Sequence, residues 1–427
     1  MDKNMKDLAQ FLDSAHSVYH AAAALEAMLQ EAGYISLQEE QSWDLIPGGK
    51  YYLTRGGSAV VAFRLPETAP EGFLISASHT DRPCFKVKEN SILPGNYTRL
   101  AVERYGGMIL APWLDRPLSV AGRVIVETET GVKSCLVDFD RDLLLIPNVA
   151  IHMNRKVNEG YAWNPAVDML PLLGGKDTGD KFWQELEHLA GGKVLGHDLY
   201  LYVRQNTSLW GLEGEYFSAP AIDDLECAWA CTQGFLNGAE SANIPVLCVF
   251  DSEEVGSGSY QGAAADFLES VLSRICRALQ MEENCQKAKS FLVSADNGHA
   301  LHPNHPELSD ASNAPVVNGG VVIKFNAAQK YTTDGLTAAV FRKICQKAEV
   351  PVQTYCNRAD LAGGSTLGNI SLRQVSVPSV DIGLAQLAMH SCYETAGVQD
   401  VSYLMQAMTA YYGTTLKLTE NGEYSVK

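Results

Sequence analysis

Acidic and imidazole side chains follow several apolar stretches of the 427-residue sequence, at points where buried strands should end. These are 73–78 before His79 and Asp81, 244–250 before Asp251, Glu253 and Glu254, 290–294 before Asp296 and His299, and 376–383 before His390. Carboxylates this close together repel each other and raise each other's pKa, so a cation or open water is expected among them. A further pair, Asp223 and Asp224, precedes a predicted helix, where exposed N–H groups favour carboxylates.

The spacing of these residues predicts a metal centre in one crevice, because ligands of open α/β sheets bind outside the carboxyl ends of the strands. The side chains brought together would be His79, Asp223, Glu253, Glu254, Asp296 and His390. Two imidazoles with several carboxylates suit Zn²⁺, with Mn²⁺ or Co²⁺ as alternatives. So many carboxylates favour two ions bridged by one aspartate over a single ion. Asp81 can orient His79, and Glu394, on a predicted helix four residues after His390, can act similarly.

Each of these features also has an ordinary explanation when it is taken alone. An Asp-Asp pair before a helix is usually an N-cap, adjacent glutamates are usually solvated, and a single histidine after a strand is usually structural. Independent caps and solvated pairs have no reason to recur at strand ends, so their joint occurrence favours the metal centre. Asp251 has no assigned chemistry, and a structural role at the strand end is expected for it.

Composition excludes some classes of partner and suggests a compartment. The net charge of −17 argues against nucleic acid or an anionic membrane as a partner, since both require clustered Lys and Arg. The sequence has no apolar run of about 18 residues, so no membrane span is predicted, and the N-terminal residues lack a secretory signal pattern. Ten cysteines without CxxC pairs favour reduced thiols and a cytoplasmic location.

The hydrophobic pattern alternates between strands and helices outside a β-rich central part, which predicts an α/β fold with a sheet covered by helices on both faces. The predicted helices are 5–33, 178–190, 225–236 and 263–280, and the predicted strands include 58–64, 73–78, 122–127, 198–203, 244–250 and 290–294. The segment 91–215 contains strand-like stretches separated by turns rich in Gly, Pro and Asn, which predicts a β-rich insertion.

The ordered motifs resemble those of the M18 metallopeptidases, the aspartyl aminopeptidase family. The segment 78–88, SHTDRPCFKVK, resembles the first metal-ligand motif of that family. Further resembling segments are 223–225, 251–257, 294–304 and 388–391, supported by 115–123, 150–155 and 322–326. The resemblance runs in order from Leu8 to about Thr415.

This resemblance implies a metallo-aminopeptidase catalytic domain with a mixed sheet, formed by residues 1–90 and 216–427. A β-rich dimerisation and assembly domain at 91–215 would interrupt it, and dimers would assemble into a homododecamer. It also implies the hydrolysis of N-terminal residues, acidic ones above all, from peptide substrates, with two divalent ions per subunit and zinc as the first expectation.

The resemblance further implies roles for individual residues. The metal ligands would be His79 and Asp296 for one ion, Glu254 and His390 for the other, and Asp223 as the bridge. Glu253 would be the catalytic base and acid, assisted by Asp81 as the partner of His79. The substrate-binding residues would be His299, Lys324, Tyr331 and His152, the last reaching a neighbouring subunit. Lys324 lies in a strand-like stretch, 321–325, and is the feature that argues for acidic specificity, because a cation there would pair with a substrate carboxylate.

Two alternatives stay open from the sequence. One is a related tetrahedral metallo-aminopeptidase of broader or non-acidic specificity, which would lack the segment 150–155. The other is a non-catalytic assembly or cargo protein, which is disfavoured because Glu253 and all five ligand positions are present.

Overall fold

Four β-sheets and nine α-helices make up the described part of the chain, which in this computed structural model comprises residues 3–361, 363–419 and 422–427. Met1, Asp2, Ala362, Glu420 and Asn421 of the predicted catalytic ranges lie outside the described residues. The helices are α1 (Lys3–Ser14), α2 (Val18–Glu31), α3 (Gly179–Ala190), α4 (Ile222–Asn237), α5 (Phe267–Ala278), α6 (Glu283–Ala288), α7 (Gly335–Lys347), α8 (Leu367–Ser371) and α9 (Val398–Gly413).

The strands are short and are distributed over the whole chain. They are β1 (Ile35–Ser36), β2 (Lys50–Arg55), β3 (Ala59–Arg64), β4 (Phe73–His79), β5 (Cys84–Leu93), β6 (Tyr97–Tyr105), β7 (Leu118–Glu127), β8 (Val132–Asp138), β9 (Leu172–Gly175), β10 (Val194–Val203), β11 (Ser208–Trp210), β12 (Tyr216–Ala219), β13 (Ile244–Phe250), β14 (Phe291–Ala295), β15 (Gly298–His299), β16 (Val321–Phe325), β17 (Val352–Cys356), β18 (Ser379–Gly383), β19 (Ala385–Leu387), β20 (Glu394–Gly397), β21 (Leu416–Leu418) and β22 (Tyr424–Val426).

A nine-stranded mixed sheet is the centre of the fold, with the strand order β1-β2-β3-β13-β4-β14-β18-β16-β17. Its four middle strands, β13, β4, β14 and β18, run parallel to one another. Phe250 pairs with His79, so β13 and β4 end side by side. The carboxyl ends of the parallel strands therefore meet at one edge of the sheet, as the sequence pattern predicted.

Helices cover both faces of this sheet. Alternate residues of one strand take part in different cores: Leu247 packs in the cluster that contains α4, α7 and α9, whereas Cys248 packs in the cluster that contains α5. Because both faces are covered, the middle strands are buried along their whole length and are almost continuously apolar. The prediction of an α/β fold with a mixed sheet covered by helices is confirmed.

A six-stranded antiparallel sheet lies between Cys84 and Val203, in the order β8-β7-β10-β5-β6-β9. It has its own apolar core, to which α3 contributes Phe182 and Leu186, and α3 agrees with the predicted helix at 178–190. Its first strand, β5, begins before residue 91. The boundaries of a separate 91–215 domain and its role in assembly stay predictions.

A five-stranded sheet in the order β11-β12-β20-β19-β15 lies next to the nine-stranded sheet and was not distinguished in the sequence. Ala219 at the end of β12 pairs with Glu394 at the start of β20, and His299 in β15 pairs with Gln386 in β19. Because β12 lies just before α4 and pairs with β20, this sheet brings the start of α4 close to the turn between β19 and β20. That turn contains His390.

Some sequence-based boundaries were wrong. The predicted helix at 5–33 is two helices, because the chain turns at residues 15–17 and Ser17 caps the start of α2.

Within the described residues, the helices are too short or too polar to cross a membrane. The ten cysteines, all among the described residues, are free thiols, and seven of them are buried.

Candidate metal centre

Three overlapping clusters of imidazole and carboxylate groups lie at the edge where the parallel strands end. In each cluster the candidate ligand atoms lie within 4.8 Å of one another, and each contains one imidazole. The clusters are His79 with Asp223 and Asp224, His79 with Glu253 and Glu254, and Asp223 with Glu254 and His390. Five of the six residues predicted to share a crevice are therefore in direct proximity.

The strand ends and turns position these side chains. His79 is the last residue of β4, and Asp296 follows β14 directly. After β13 the backbone turns at Ser252, whose φ is 65°, into a 3₁₀ turn that carries both Glu253 and Glu254. The neighbouring register of β4 and β13 then brings both glutamates to His79.

Asp223 lies between the two imidazoles. Its Oδ1 is 3.9 Å from Nε2 of His79, and its Oδ2 is 3.4 Å from Nε2 of His390. The same nitrogen of His390 is 3.4 Å from Oε1 of Glu254. One carboxylate thus faces a different imidazole with each of its oxygens.

Asp81 accepts hydrogen bonds from several groups on the His79 side of the centre. Its carboxylate accepts from the backbone N–H of Glu253 (3.0 Å) and Glu254 (3.1 Å) and from the hydroxyl of Tyr105 (2.8 Å). Nδ1 of His79 lies 3.1 Å from the backbone carbonyl oxygen of Asp81 and 3.3 Å from its Oδ1. We call this set of contacts the Asp81 network. Asp81 thereby fixes the ring of His79 and the backbone of the two glutamates at the same time.

His390 is in a turn between β19 and β20, so its predicted placement on a helix with Glu394 was wrong. Its φ is 66°, a left-handed backbone conformation that does not occur inside a right-handed α-helix. The backbone N–H of His390 donates to Oε1 of Glu394 at 2.7 Å, while Nδ1 of the ring contacts the carbonyl oxygen of Gly107 at 2.6 Å. The orienting partner of this imidazole is therefore a backbone carbonyl from the turn after β6.

The electrostatics of the centre indicate unneutralised negative charge. Burial raises the pKa of Glu253 to about 8, and burial together with Asp223 and Asp81 raises the pKa of Glu254 well above its ordinary value. Burial lowers the pKa of His79, but Asp224, Asp81 and Glu253 outweigh it, so the pKa is raised overall. Among the residues of the three clusters, the buried carboxylate oxygens without a hydrogen-bond donor are Asp223 Oδ1, Asp224 Oδ1 and Glu254 Oε1.

These orphaned oxygens fit bound cations. A buried carboxylate oxygen is normally paired with a donor or a cation, because leaving it unpaired costs about 1–3 kcal/mol or more. Two imidazoles with free Nε2 atoms beside carboxylate oxygens form the N/O ligand set that zinc and related divalent metals prefer.

Comparison with known proteins agrees with this chemistry. Residues 11–412 match the family described as "Aminopeptidase I zinc metalloprotease (M18)". The chain is 40% identical over 427 residues to "Probable M18 family aminopeptidase 2" of Pseudomonas paraeruginosa (strain DSM 24068 / PA7), and this match covers 96% of the chain and 97% of that protein. The chain belongs to the M18 aminopeptidase family. The family resemblance seen in the sequence is confirmed, and so is the prediction of a metallo-aminopeptidase, a hydrolase of the zinc metalloprotease class.

Solved structures share the fold of this M18 aminopeptidase. The "Cryo-EM structure of the Ape4 and Nbr1 complex" matches with a TM-score of 0.92 at 34% identity, covering 96% of this chain and 85% of that chain. The "Structure of S. cerevesiae mApe1 dodecamer" matches with a TM-score of 0.84 at 25% identity, covering 96% of each chain. The fold prediction is therefore supported over nearly the whole chain.

Asp296 and Lys324 form a buried pair beside the centre of the M18 aminopeptidase. Nζ of Lys324, a residue only 2% exposed, donates to the carbonyl oxygen of Asp296 at 2.7 Å and lies 3.4 Å from its Oδ1. Burial lowers the pKa of Lys324, but Asp296 and Tyr331 outweigh it, so the pKa is raised and the amine stays charged. Asp296 is the one predicted ligand that belongs to none of the three clusters of the described residues.

The other predicted substrate-binding residues lie at different distances from the centre. Tyr331 is buried, and its ring centroid lies 5.3 Å from Nζ of Lys324. His299 lines a pocket of about 340 Å³ together with Tyr355 and with Met389, which directly precedes His390. His152 lies on an exposed turn in the long connection between β8 and β9. The roles of all predicted site residues stay predictions.

Several contacting residues were missed in the sequence or left without a role there. Asp224 was treated with Asp223 as a helix start, yet it joins the His79 cluster and its Oδ2 accepts the backbone N–H of His79 at 3.1 Å. The turn after Tyr105 reaches the centre because Gly106 has φ +74°, and a Cβ there would lie 3.1 Å from Cβ of Glu254. The adjacent glycines at 106 and 107 were a usable signal in the sequence for this close approach.

Asp251, which had no assigned chemistry, points away from the centre. Its Oδ2 accepts a hydrogen bond from the hydroxyl of Ser58 at 2.6 Å, and its Oδ1 accepts from the backbone N–H of Ser252 at 2.5 Å. Both contacts stabilise the turn at the end of β13. The expected structural role of Asp251 agrees with these contacts.

Proposed function

We propose that this M18 aminopeptidase removes the first residue of peptides at a centre of two divalent metal ions per subunit. His79 and Asp296 would bind one ion, Glu254 and His390 the other, and Asp223 would bridge them. Zinc is the proposed metal, with manganese and cobalt as alternatives. The observation that carries this proposal is the position of Asp223, whose two oxygens face two different imidazoles at 3.9 and 3.4 Å.

The protein's own residues would divide the remaining work. When bound, the two ions supply a water molecule that loses a proton near neutral pH and polarise the scissile carbonyl. Glu253 would accept that proton at its carboxylate and deliver it to the leaving amine. Asp81 would keep Glu253 in place by accepting a hydrogen bond from the backbone N–H of Glu253.

A preference for acidic first residues is the second part of the proposal. Lys324 supports it, because a charged amine is held beside Asp296 and Tyr331, and a Cβ on Gly298, next to His299, would lie 3.8 Å from Cδ of Lys324. In this pocket region a substrate carboxylate would gain a charge-assisted contact that an apolar side chain cannot form. The open alternative is an M18 aminopeptidase of broader specificity.

Substitution of Lys324 separates these two alternatives. We expect Lys324→Met to lower kcat/KM for Asp- and Glu-anilides by about tenfold or more while Leu-anilide changes little, because only the acidic substrates lose a charge pair. Arg358→Met is the matched control: it removes an exposed pocket cation that already pairs with Asp360. Metal content is measured beside the kinetics, because Lys324 also contacts Asp296. Equal losses for acidic and apolar substrates in a Lys324 variant that keeps its metal would contradict the acidic pocket.

We also propose that the enzyme is a cytoplasmic homo-oligomer of dimers that assemble into a dodecamer, and that His152 acts in a neighbouring subunit. Support comes from the structural relative described as a dodecamer and from the exposed turn that carries His152. Mixing inactive Glu253→Gln subunits with inactive His152→Ala subunits under conditions that allow exchange should restore activity. Mixtures that stay inactive despite exchange would contradict action between subunits.

A further inference from the structure

Glu394 contacts the backbone of two predicted metal ligands at once. It is the first residue of β20 and is 2% exposed. Its Oε2 accepts the backbone N–H of Asp223 at 3.0 Å, and its Oε1 accepts the backbone N–H of His390 at 2.7 Å. We call these two contacts the Glu394 network. The contact with Asp223 joins distant parts of the chain, since Asp223 and Glu394 are separated by 171 positions.

Neither donor is held by regular secondary structure. Asp223 has φ −81° and ψ 111°, which is not helical although it lies in the first turn of α4. His390 has a φ of 66° in the turn between β19 and β20. Backbone N–H groups in such places have no partner in a helix or a sheet ladder, and when buried they must find another acceptor. Glu394 is that acceptor for both.

The contacts extend from Glu394 towards the third ligand-bearing loop. Nε2 of Gln386 lies 3.4 Å from Oε1 of Glu394, and Nδ2 of Asn297 donates to Oε1 of Gln386 at 2.7 Å. Asn297 directly follows Asp296 and is itself buried. A continuous set of buried hydrogen bonds thus joins the backbones that carry Asp223, His390 and Asp296.

Asp400 offers the same chemistry away from the predicted ligands. It is a fully buried carboxylate that accepts the backbone N–H of Asn318 at 2.5 Å and of Gly320 at 2.8 Å. Neither donor is a predicted ligand. Loss of Asp400 therefore measures what a carboxylate that binds two backbone N–H groups contributes to the fold alone.

We propose that Glu394 is a positioning residue that sets metal affinity by fixing Asp223 and His390 relative to each other. It reaches the ions only through these two backbones and does not contact substrate. If Glu394 lost one acceptor oxygen, the backbone at Asp223 or at His390 would be free to move. The carboxylate of Asp223 would then no longer be placed to bind both ions. The inference rests on the proposed two-ion centre.

The test is a Co²⁺ titration of chelator-treated full-length protein, followed by visible absorption of the bound ion. We expect wild type to bind two Co²⁺ per subunit and Glu394→Gln to bind at least one of them about tenfold to hundredfold more weakly, with a changed spectrum. Asp400→Asn should keep the wild-type affinity within about twofold and the wild-type spectrum. Wild-type protein that binds no Co²⁺ would refute the two-ion centre itself, whatever the variants do.

Two results would overturn the role of Glu394 alone. One is wild-type affinity and spectrum in Glu394→Gln, and the other is an equal loss in Glu394→Gln and Asp400→Asn, which would make the contribution merely structural. If Glu394→Gln does not fold, hydrogen exchange of chelator-treated wild type replaces it. Slow exchange at the amides of Asp223 and His390 supports the proposal, and fast exchange at either amide overturns it.

Discussion

The two sides of the metal centre are built in different ways. On one side, the nine-stranded sheet provides His79, Glu253 and Glu254 at adjacent strand ends, and the Asp81 network joins them. On the other side, the five-stranded sheet places His390 in a turn and approaches Asp223, and the Glu394 network joins the two.

The difference lies in what fixes the backbone. On the Asp81 side the parallel register of β4 and β13 already aligns the ligand turns, and Asp81 adds to a geometry that the sheet provides. On the Glu394 side the two ligand turns meet only where separate parts of the chain pack together. On that side the buried carboxylate of Glu394 holds the two turns in place, whereas strand register does so on the Asp81 side. We therefore expect the two sides to respond differently to substitution.

The largest expected effect distinguishes the two adjacent glutamates of the Asp81 side. Glu253→Gln should lower kcat by about 10²–10⁴-fold while both ions stay bound, because a general base is lost and no ligand is removed. Glu254→Gln is its matched control and should lose metal as well as activity. Elemental analysis beside steady-state kinetics measures both quantities. Full activity of Glu253→Gln would refute its role as the base.

The next effect compares the two sides directly. Asp81→Asn should weaken metal binding by about tenfold to hundredfold, since the carboxylate beside His79 loses its charge and one of the two backbone N–H groups loses its acceptor oxygen. The measurement is the same Co²⁺ titration that is used for Glu394→Gln. We expect the glutamate turn to stay in place because strand register supports it, so the Asp81→Asn spectrum should change less than the Glu394→Gln spectrum. The reverse order would contradict the contrast between the two sides.

The smallest effect concerns stability at the reference carboxylate, Asp400. Burial raises the pKa of Asp400 to about 7 from an ordinary 3.8. A carboxyl with a raised pKa binds its proton more tightly in the folded protein than in the unfolded chain. Its contribution to stability is therefore complete below pH 3.8 and is lost as the pH rises towards about 7.

Wild type and Asp400→Asn should therefore differ in the pH dependence of their unfolding. The free energy of unfolding of wild type minus that of Asp400→Asn should fall by on the order of a few kcal/mol between about pH 4 and about pH 7. Urea unfolding of the chelator-treated proteins measures this difference without a contribution from metal. A difference that is constant across this range would show that Asp400 titrates at its ordinary value.

The same contrast explains which parts of the site the sequence could predict. His79 and Asp81 directly follow one apolar stretch, and Glu253 and Glu254 follow another. The local sequence pattern was therefore enough to predict that these residues lie together at strand ends. The prediction of a sheet covered by helices followed from the alternation of strand-like and helix-like stretches. Family resemblance supplied the pairing of ligands with ions, which no local pattern contains.

The Glu394 side was harder because its contacts join distant parts of the chain. A spacing of four residues suggested a helix that carries His390 and Glu394, whereas the chain forms a turn with a left-handed residue and then a strand. Only the packing of the five-stranded sheet against α4 brings Glu394 to the backbone of Asp223. The approach of Gly107 to His390 likewise depends on how two sheets pack, a property that local periodicity does not encode.

Metal stoichiometry tests whether Asp223 bridges two ions, as proposed. Wild-type protein and Asp223→Asn would be loaded with Zn²⁺, freed of excess metal and measured by elemental analysis, with circular dichroism to check that both are folded. We expect two ions per subunit in wild type and a loss of both from Asp223→Asn, because this residue would serve both sites. A single ion in wild type, or an unchanged metal content in folded Asp223→Asn, would contradict it.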